Sequence, residues 1–237
     1  MTRPDDEPVP RPEPVLLVLE DDPAVNDALL FLLSTFGHRV RGFHHPDTLL
    51  EAAAAEPDWV GCLVIDLRLP ERSGLEVVEL LQASHPHLTA VMISGHGQVD
   101  EAVRSMRVGC IDFLEKPFDD RTLCRRVQQG LDVAVQRAHA DREAADVADR
   151  CASLSPRERQ VMEHVVRGDK NSQIARALDI TVKTVEAHRK HVMLKMRAPT
   201  LADLVRLHLR LGDGQTSSKT AFFTGSDTPA AGRSSTA

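Results

Sequence analysis

The sequence is short of several things, and each shortage excludes something. Aromatic residues make up 3% of its 237 residues, with one Trp and no Tyr, so aliphatic side chains must fill whatever core it builds. No apolar run approaches the ~20 residues of a bilayer-spanning helix; the longest are 15–19 and 28–33. A membrane partner is therefore not expected. The opening segment, MTRPDDEPVPRPEP, is proline-rich and acidic where a secretory signal would be basic and then apolar. Cys62, Cys110, Cys124 and Cys151 form no CxxC pair, which argues against structural zinc. Without a signal peptide they read as reduced thiols, and a cytoplasmic protein is expected.

Taken over the whole chain, the formal charge of −6 speaks against a nucleic-acid partner. The average hides a division. Residues 1–150 carry 15 basic and 27 acidic side chains, net −12, while residues 151–210 carry 12 and 6, net +6. Two modules with different partners are implied.

Apolar periodicity divides the chain further. Residues 1–14 hold five prolines and read as a disordered leader. Short apolar runs at 15–19, 39–43, 60–65, 89–93 and 111–114 read as strands. Amphipathic segments at 23–36, 48–55, 75–83, 99–108 and from 120 onward read as helices. In the first of these, Ala24, Ala28, Leu29 and Leu32 are the expected core positions. Five β-then-α units predict a doubly wound, five-stranded parallel sheet over 15–133, with any site at the carboxyl ends of the strands. Residues 134–150 are alanine-rich and charged and read as a helical linker. Over 151–211 the pattern is all α, opened by the capping box Ser155-Pro156-Arg157-Glu158 and stopped once by Gly168. Later helices at 172–178, 182–196 and 201–211 have cap candidates Asn171, Thr181 and Thr200. Residues 212–237, rich in Ser, Thr, Gly and Ala, read as a disordered tail, although Phe222-Phe223 could dock.

The predicted strand ends carry chemistry. Glu20-Asp21-Asp22 follows the first strand, Asp66 the third, Ser94 the fourth and Lys116-Pro117 the fifth. A parallel sheet gathers them into one pocket of carboxylates, a hydroxyl and an ammonium. Clustered carboxylates call for a hard divalent cation, and Mg2+ suits an all-oxygen site. A carboxylate beside that ion, with donors for phosphoryl oxygens, is equipped to attack phosphorus.

The motifs VLEDDP, LVIDLRLPERSGLE, VMISGHG and DFLEKPF make residues 15 to about 135 resemble a flavodoxin-like response-regulator receiver domain. The resemblance implies that Asp66 is the phosphoacceptor and that Glu20, Asp21, Asp66 and the Arg68 carbonyl bind the metal. It makes Ser94 the switch hydroxyl, Phe113 the aromatic switch and Lys116 the phosphate-sensing lysine, with a cis bond between Lys116 and Pro117. Phe113 lacks the hydroxyl of the commoner Tyr, so its switching would rest on packing. Gly74 is assigned to a loop turn, and His85, His87 and His96 to the surface, with His96 able to shape water access to the phosphoryl group.

In the basic module, residues 171–178, the Asp179-Ile180 turn and 181–196 have helix-turn-helix proportions. Val182, Val185, Val192 and Met196 should pack inward. Lys183, Glu186, Ala187 and Lys190 then form the opposite, groove-reading face. His188, Arg189, Lys195 and Arg197 flank that face and suit phosphates. LSPRERQVMEHVVRG, NSQIARALDITVKTVEAHRKHVMLKM and LADLVRL make 151–211 resemble the LuxR-type four-helix DNA-binding domain, which puts base contacts at Glu186, Ala187 and Lys190.

The whole is similar to NarL/FixJ-type response regulators, closer to FixJ through SGHG and FLEKPF. That resemblance implies a sensor histidine kinase, promoter DNA and RNA polymerase as partners. It also implies a homodimer on phosphorylation, through a face including Val103, Arg104, Arg107, Val108 and Arg121. Enzymatic work would be limited to self-phosphorylation and slow autodephosphorylation. A magnesium-dependent phosphohydrolase is a rival reading, weakened because Arg68 stands where a second carboxylate would be wanted. A phosphorylation-independent DNA binder is the other.

Overall fold

The computed structural model describes residues 13–35, 37, 39–95 and 99–217, without the side chains of 212–217. The chain forms two compact units divided between Ala140 and Asp141.

In the first unit, strands β1 (Val15–Leu19), β2 (Arg39–Phe43), β3 (Gly61–Asp66), β4 (Leu88–Ser94) and β5 (Asp112–Glu115) make one parallel sheet in the order β2-β1-β3-β4-β5. Helices α1 (Pro23–Ser34), α2 (Pro46–Ala55), α3 (Gly74–Ser84) and α4 (Val99–Arg107) alternate with the strands, and α5 (Asp120–Ala152) follows β5. The central strands are buried along their whole length and mostly apolar because both faces are covered. Leu17, Leu19, Leu63, Ile65 and Met92 point to one side, against Leu49 of α2 and Val77, Val78 and Leu81 of α3. Their neighbours Leu16, Val18, Val64, Val91 and Ile93 point to the other, against Leu29 and Leu33 of α1 and Leu123, Val127 and Leu131 of α5. The period of two along each strand thus builds two cores from one sheet.

Three expectations need correction here. On α1, Leu29 is buried as expected, but Ala24 and Ala28 are exposed and Leu32 is only half-buried, while Asn26 and Leu33 are buried in their stead. The exposed side also carries Phe31 at 79% exposure. A polar residue, Asn26, therefore takes a core position while the two expected alanines face outward. His85 is not a surface residue: it is buried, with Nε2 3.2 Å from both the Ala53 and Glu56 carbonyls at the end of α2. Gly74 begins α3 rather than turning the loop before it, and it serves a close approach. A Cβ there would lie 2.3 Å from the Asp66 carbonyl oxygen.

In the second unit, α6 (Pro156–Val166), α7 (Asn171–Leu178), α8 (Val182–Lys195) and α9 (Leu201–Ser217) enclose Val161, Met162, Val165, Ile174, Val185, Val192, Met196 and Leu204. The Ser155 capping box is complete: Ser155 Oγ accepts from Glu158 N, and Glu158 Oε2 accepts from Ser155 N at 2.8 Å. Gly168 at φ +88° ends α6, and Asp179 at φ +52° turns the chain between α7 and α8. Thr181 and Thr200 cap as expected. Asn171 does not: Gln173 Oε1 accepts from Lys170 N, while Asn171 Oδ1 accepts from Arg189.

The segment read as a linker has partners at both ends. Ala134 and Ala138 pack with Val60 in the first unit, and Val147 joins the core of the second. Helix α9 runs to Ser217, so the segment read as a disordered tail begins helical. Residues 1–12, His96 and Phe222-Phe223 lie outside the described residues.

Candidate functional site

β1 and β3 are neighbours whose following helices leave on opposite faces of the sheet, and their carboxyl ends open a crevice. Glu20 and Asp21 leave β1 there, and Asp66 is the last residue of β3. One carboxylate oxygen from each of Glu20, Asp21 and Asp66 lies within 4.8 Å of the others. From the end of β5, Lys116 Nζ reaches 2.7 Å from Glu20 Oε2 and 3.3 Å from Asp66 Oδ2. Ser94, at the end of β4, is fully buried, and its carbonyl accepts from Lys116 N at 2.7 Å. The Lys116–Pro117 bond is cis. Side chains 96 residues apart in sequence thereby share one hydrogen bond.

Burial pushes the Glu20 carboxyl above its ordinary range, more than Lys116 pulls it down, with Asp66 and Asp21 adding repulsion. For Lys116 the balance falls the other way. Burial disfavours its charge, but Glu20 and Asp66 together hold the ammonium above its ordinary value. Three carboxylates face one ammonium here, and that oxygen donor set fits a hard divalent cation such as Mg2+. Arg68 follows in the β3–α3 loop. Its N–H lies 3.5 Å from Asp66 Oδ1 and its guanidinium 3.8 Å from Glu101 of α4. Phe113 of β5 is half-buried against the core beneath α2 and α3.

Asn26 is a participant the sequence reading missed. Its Nδ2 donates to the Glu20 carbonyl at 3.1 Å and to the Phe43 carbonyl at 2.8 Å, tying the ends of β1 and β2 together beside the acidic pair. The available signal was one polar residue in the Val25, Leu29, Leu33 face of α1.

In the second unit, Lys183, Glu186, Ala187 and Lys190 are exposed along α8, as the spacing predicts. Arg189 is half-buried, and its Nη1 donates to Asn171 Oδ1 at 3.0 Å. Val182 is 43% exposed rather than buried, because it begins the helix beyond the reach of the core. Lys195 differs most from expectation. Its ammonium sits 2.7 Å from Glu158 Oε2 and 3.2 Å from the Ser153 carbonyl, so it closes the capping box of α6 instead of standing free for a phosphate. With that ammonium and the Ser155 N–H on it, the Glu158 carboxyl is held down to about 2.

Comparison with known proteins agrees with both halves. Residues 16–128 match the family model described as response regulator receiver domain, and residues 152–208 match bacterial regulatory proteins, luxR family. The transcriptional regulatory protein FixJ of Bradyrhizobium diazoefficiens is 41% identical over 197 residues, covering 83% of this chain and 95% of that protein. The response regulator protein TodT of Pseudomonas putida is 36% identical over 84% of this chain and 87% of its own. Among solved structures, the response regulator StyR superposes with a TM-score of 0.77 at 37% identity, covering 84% of this chain and 99% of that one.

Proposed function

The chain belongs to the two-component response regulators that join a receiver domain to a LuxR-type DNA-binding domain and regulate transcription, and from that premise we propose that Asp66 is its phosphoacceptor. The observation that carries this reading is Lys116 Nζ held between Glu20 and Asp66 at the mouth of the strand-end crevice. The Asp66 carboxylate attacks the phosphorus of a phosphohistidine on the sensor kinase. An O–P bond forms as the N–P bond breaks, and the departing imidazole takes up a proton. Lys116 exchanges its contact with Asp66 for a phosphoryl oxygen, and the Ser94 hydroxyl donates to another. Glu20, Asp21, Asp66 and the Arg68 carbonyl would hold Mg2+, which when bound neutralises charge on the phosphoryl oxygens. Beyond this self-phosphorylation and its slow reversal by water, no catalysis is assigned.

On the output side, Lys183, Glu186, Ala187 and Lys190 of α8 meet base edges in promoter DNA, with Arg189 near the backbone. Phosphorylation favours a homodimer through the exposed Val103, Arg104 and Arg107 of α4 with Arg121 of α5, since one helix-turn-helix reads too few base pairs alone. Val108 is half-buried against the core and contributes less to that face. With a kinase and promoter-bound RNA polymerase as partners, the protein would act in the cytoplasm.

Incubation with acetyl phosphate and Mg2+ should add one acid-labile phosphoryl group to the protein and none to Asp66→Asn. Equal labelling of that variant would refute the assignment. Equal DNA affinity of the phosphorylated and unphosphorylated chains at one salt concentration would instead favour the constitutive binder.

A further inference from the structure

In the second unit, the last turns of α5 lie beside α9 across a groove of about 470 Å³. Its floor is Ala144, Ala145, Ala148 and Ala152 with Cys151, and Leu211 closes one side. The four alanines are exposed, and nearby Leu209 is 61% exposed. Arg159 and Arg210 stand at the rim. This groove plays no part in the phosphoryl or DNA chemistry assigned above.

We propose that the chain's own C-terminal segment fills this groove, with Phe222 and Phe223 as its anchors. Residues 218–237 continue directly from α9, the helix that supplies one wall. Leu211 lies six residues before Ser217, or roughly 9 Å along the helix at 1.5 Å per residue. Phe222 lies five residues after Ser217, a reach of up to about 17 Å in an extended chain. The segment is therefore long enough to turn back and lay both rings on the alanine floor. Its composition selects which part docks. Between residues 212 and 237, Phe222 and Phe223 are the only large apolar side chains, in a chain with only seven Phe and one Trp. An aromatic ring supplies the area that the alanine methyls leave uncovered. Arg159 donates to the Cys151 carbonyl and Arg210 pairs with Glu143, and the faces of both guanidiniums suit stacking by those rings. The short tether also gives this occupant an effective concentration in the millimolar range, which a separate partner would have to exceed.

Cys151 reports occupancy, because it is half-buried in the groove, while Cys62 and Cys110 are buried in the first unit. The experiment uses the full chain carrying Cys124→Ser and measures Cys151 modification by a disulfide reagent. Replacing both anchors (Phe222→Ser with Phe223→Ser), or ending the chain at residue 217, should raise the rate about tenfold, the ratio for a segment docked roughly nine-tenths of the time. A synthetic peptide of residues 218–228 added to the shortened chain should restore protection. Ala148→Glu, on an exposed helix position, should accelerate modification in the full chain and leave the shortened chain unchanged. Equal rates across all these proteins would overturn the proposal. So would protection that survives loss of both phenylalanines and rises with protein concentration, which would give the groove to a second copy.

Discussion

The two units build their sites in opposite ways. In the first, Glu20, Asp66, Ser94 and Lys116 come from the ends of four strands, and only the parallel sheet brings them together. In the second, Lys183, Glu186, Ala187 and Lys190 lie on three successive turns of α8. The first site is a product of topology and fails with its sheet. The second is a product of helical period, and a single helix presents it once the core holds that helix in place.

The largest effect should come from breaking the topology. Gly61→Ala places a carbon 1.9 Å from the Val15 carbonyl oxygen, in the backbone itself. We expect a loss of about 4 kcal/mol or more in the first unit, the range reserved for severe backbone or core damage. Thermal unfolding followed at Trp59 should lose its transition, while the second unit keeps its own. Simultaneous loss of both transitions would show that the units are not separate in stability.

Next in size is the helix face. Lys190→Ala should cost about 1–3 kcal/mol on the preferred DNA site and relax the choice of one base pair, measured across a panel of single-base variants. A uniform loss over the whole panel would move Lys190 from base edges to phosphates.

Smaller still is the cap that orients α6. Ser155→Ala should remove about 1 kcal/mol from the second unit. Because the folded Glu158 carboxyl is held below its ordinary 4.5, at about 2, its contribution is complete above pH 4.5 and drains away as pH falls toward 2. Glu158→Gln should flatten that part of the stability–pH curve, read from denaturant midpoints. An unchanged curve would mean the carboxylate gains nothing from Lys195.

The smallest effect on DNA binding should be that of Lys195→Ala. A free phosphate-binding lysine would lower the salt slope by about one unit. With its ammonium on Glu158, we expect a change well below that, and a full unit would mean the lysine leaves Glu158 for DNA.

The same contrast explains what was legible in the sequence. Strands with both faces covered announce themselves as apolar runs, so β1, β3 and β4 were readable, and Glu20, Asp66 and Ser94 at their ends came with them. The α8 face was readable because its period is local. Less visible were contacts that depend on a neighbour elsewhere in the chain. Nothing near Lys195 in sequence points to Glu158, 37 residues away. Asn26 and His85 are buried because carbonyls at Phe43 and Ala53 need donors, and no local pattern encodes that demand. Ala24 and Ala28 were misplaced for a related reason: alanine suits either face of a helix, and Leu29 and Leu33 decided which one turned inward.

Gly74 has a mechanical meaning. Helix α3 begins so close to the Asp66 carbonyl that a methyl group has no room, and at the other end of β3 Gly61 is pressed in the same way against Val15. The strand is gripped at both ends by main chain, which cannot rotate aside as a side chain can. A phosphoryl group on Asp66, as proposed, would therefore find no recoil in β3. Its load would pass to the rim held by rotatable groups, the Lys116 and Ser94 side of the crevice. β3 would be the anvil, and the β4–β5 edge the part that gives.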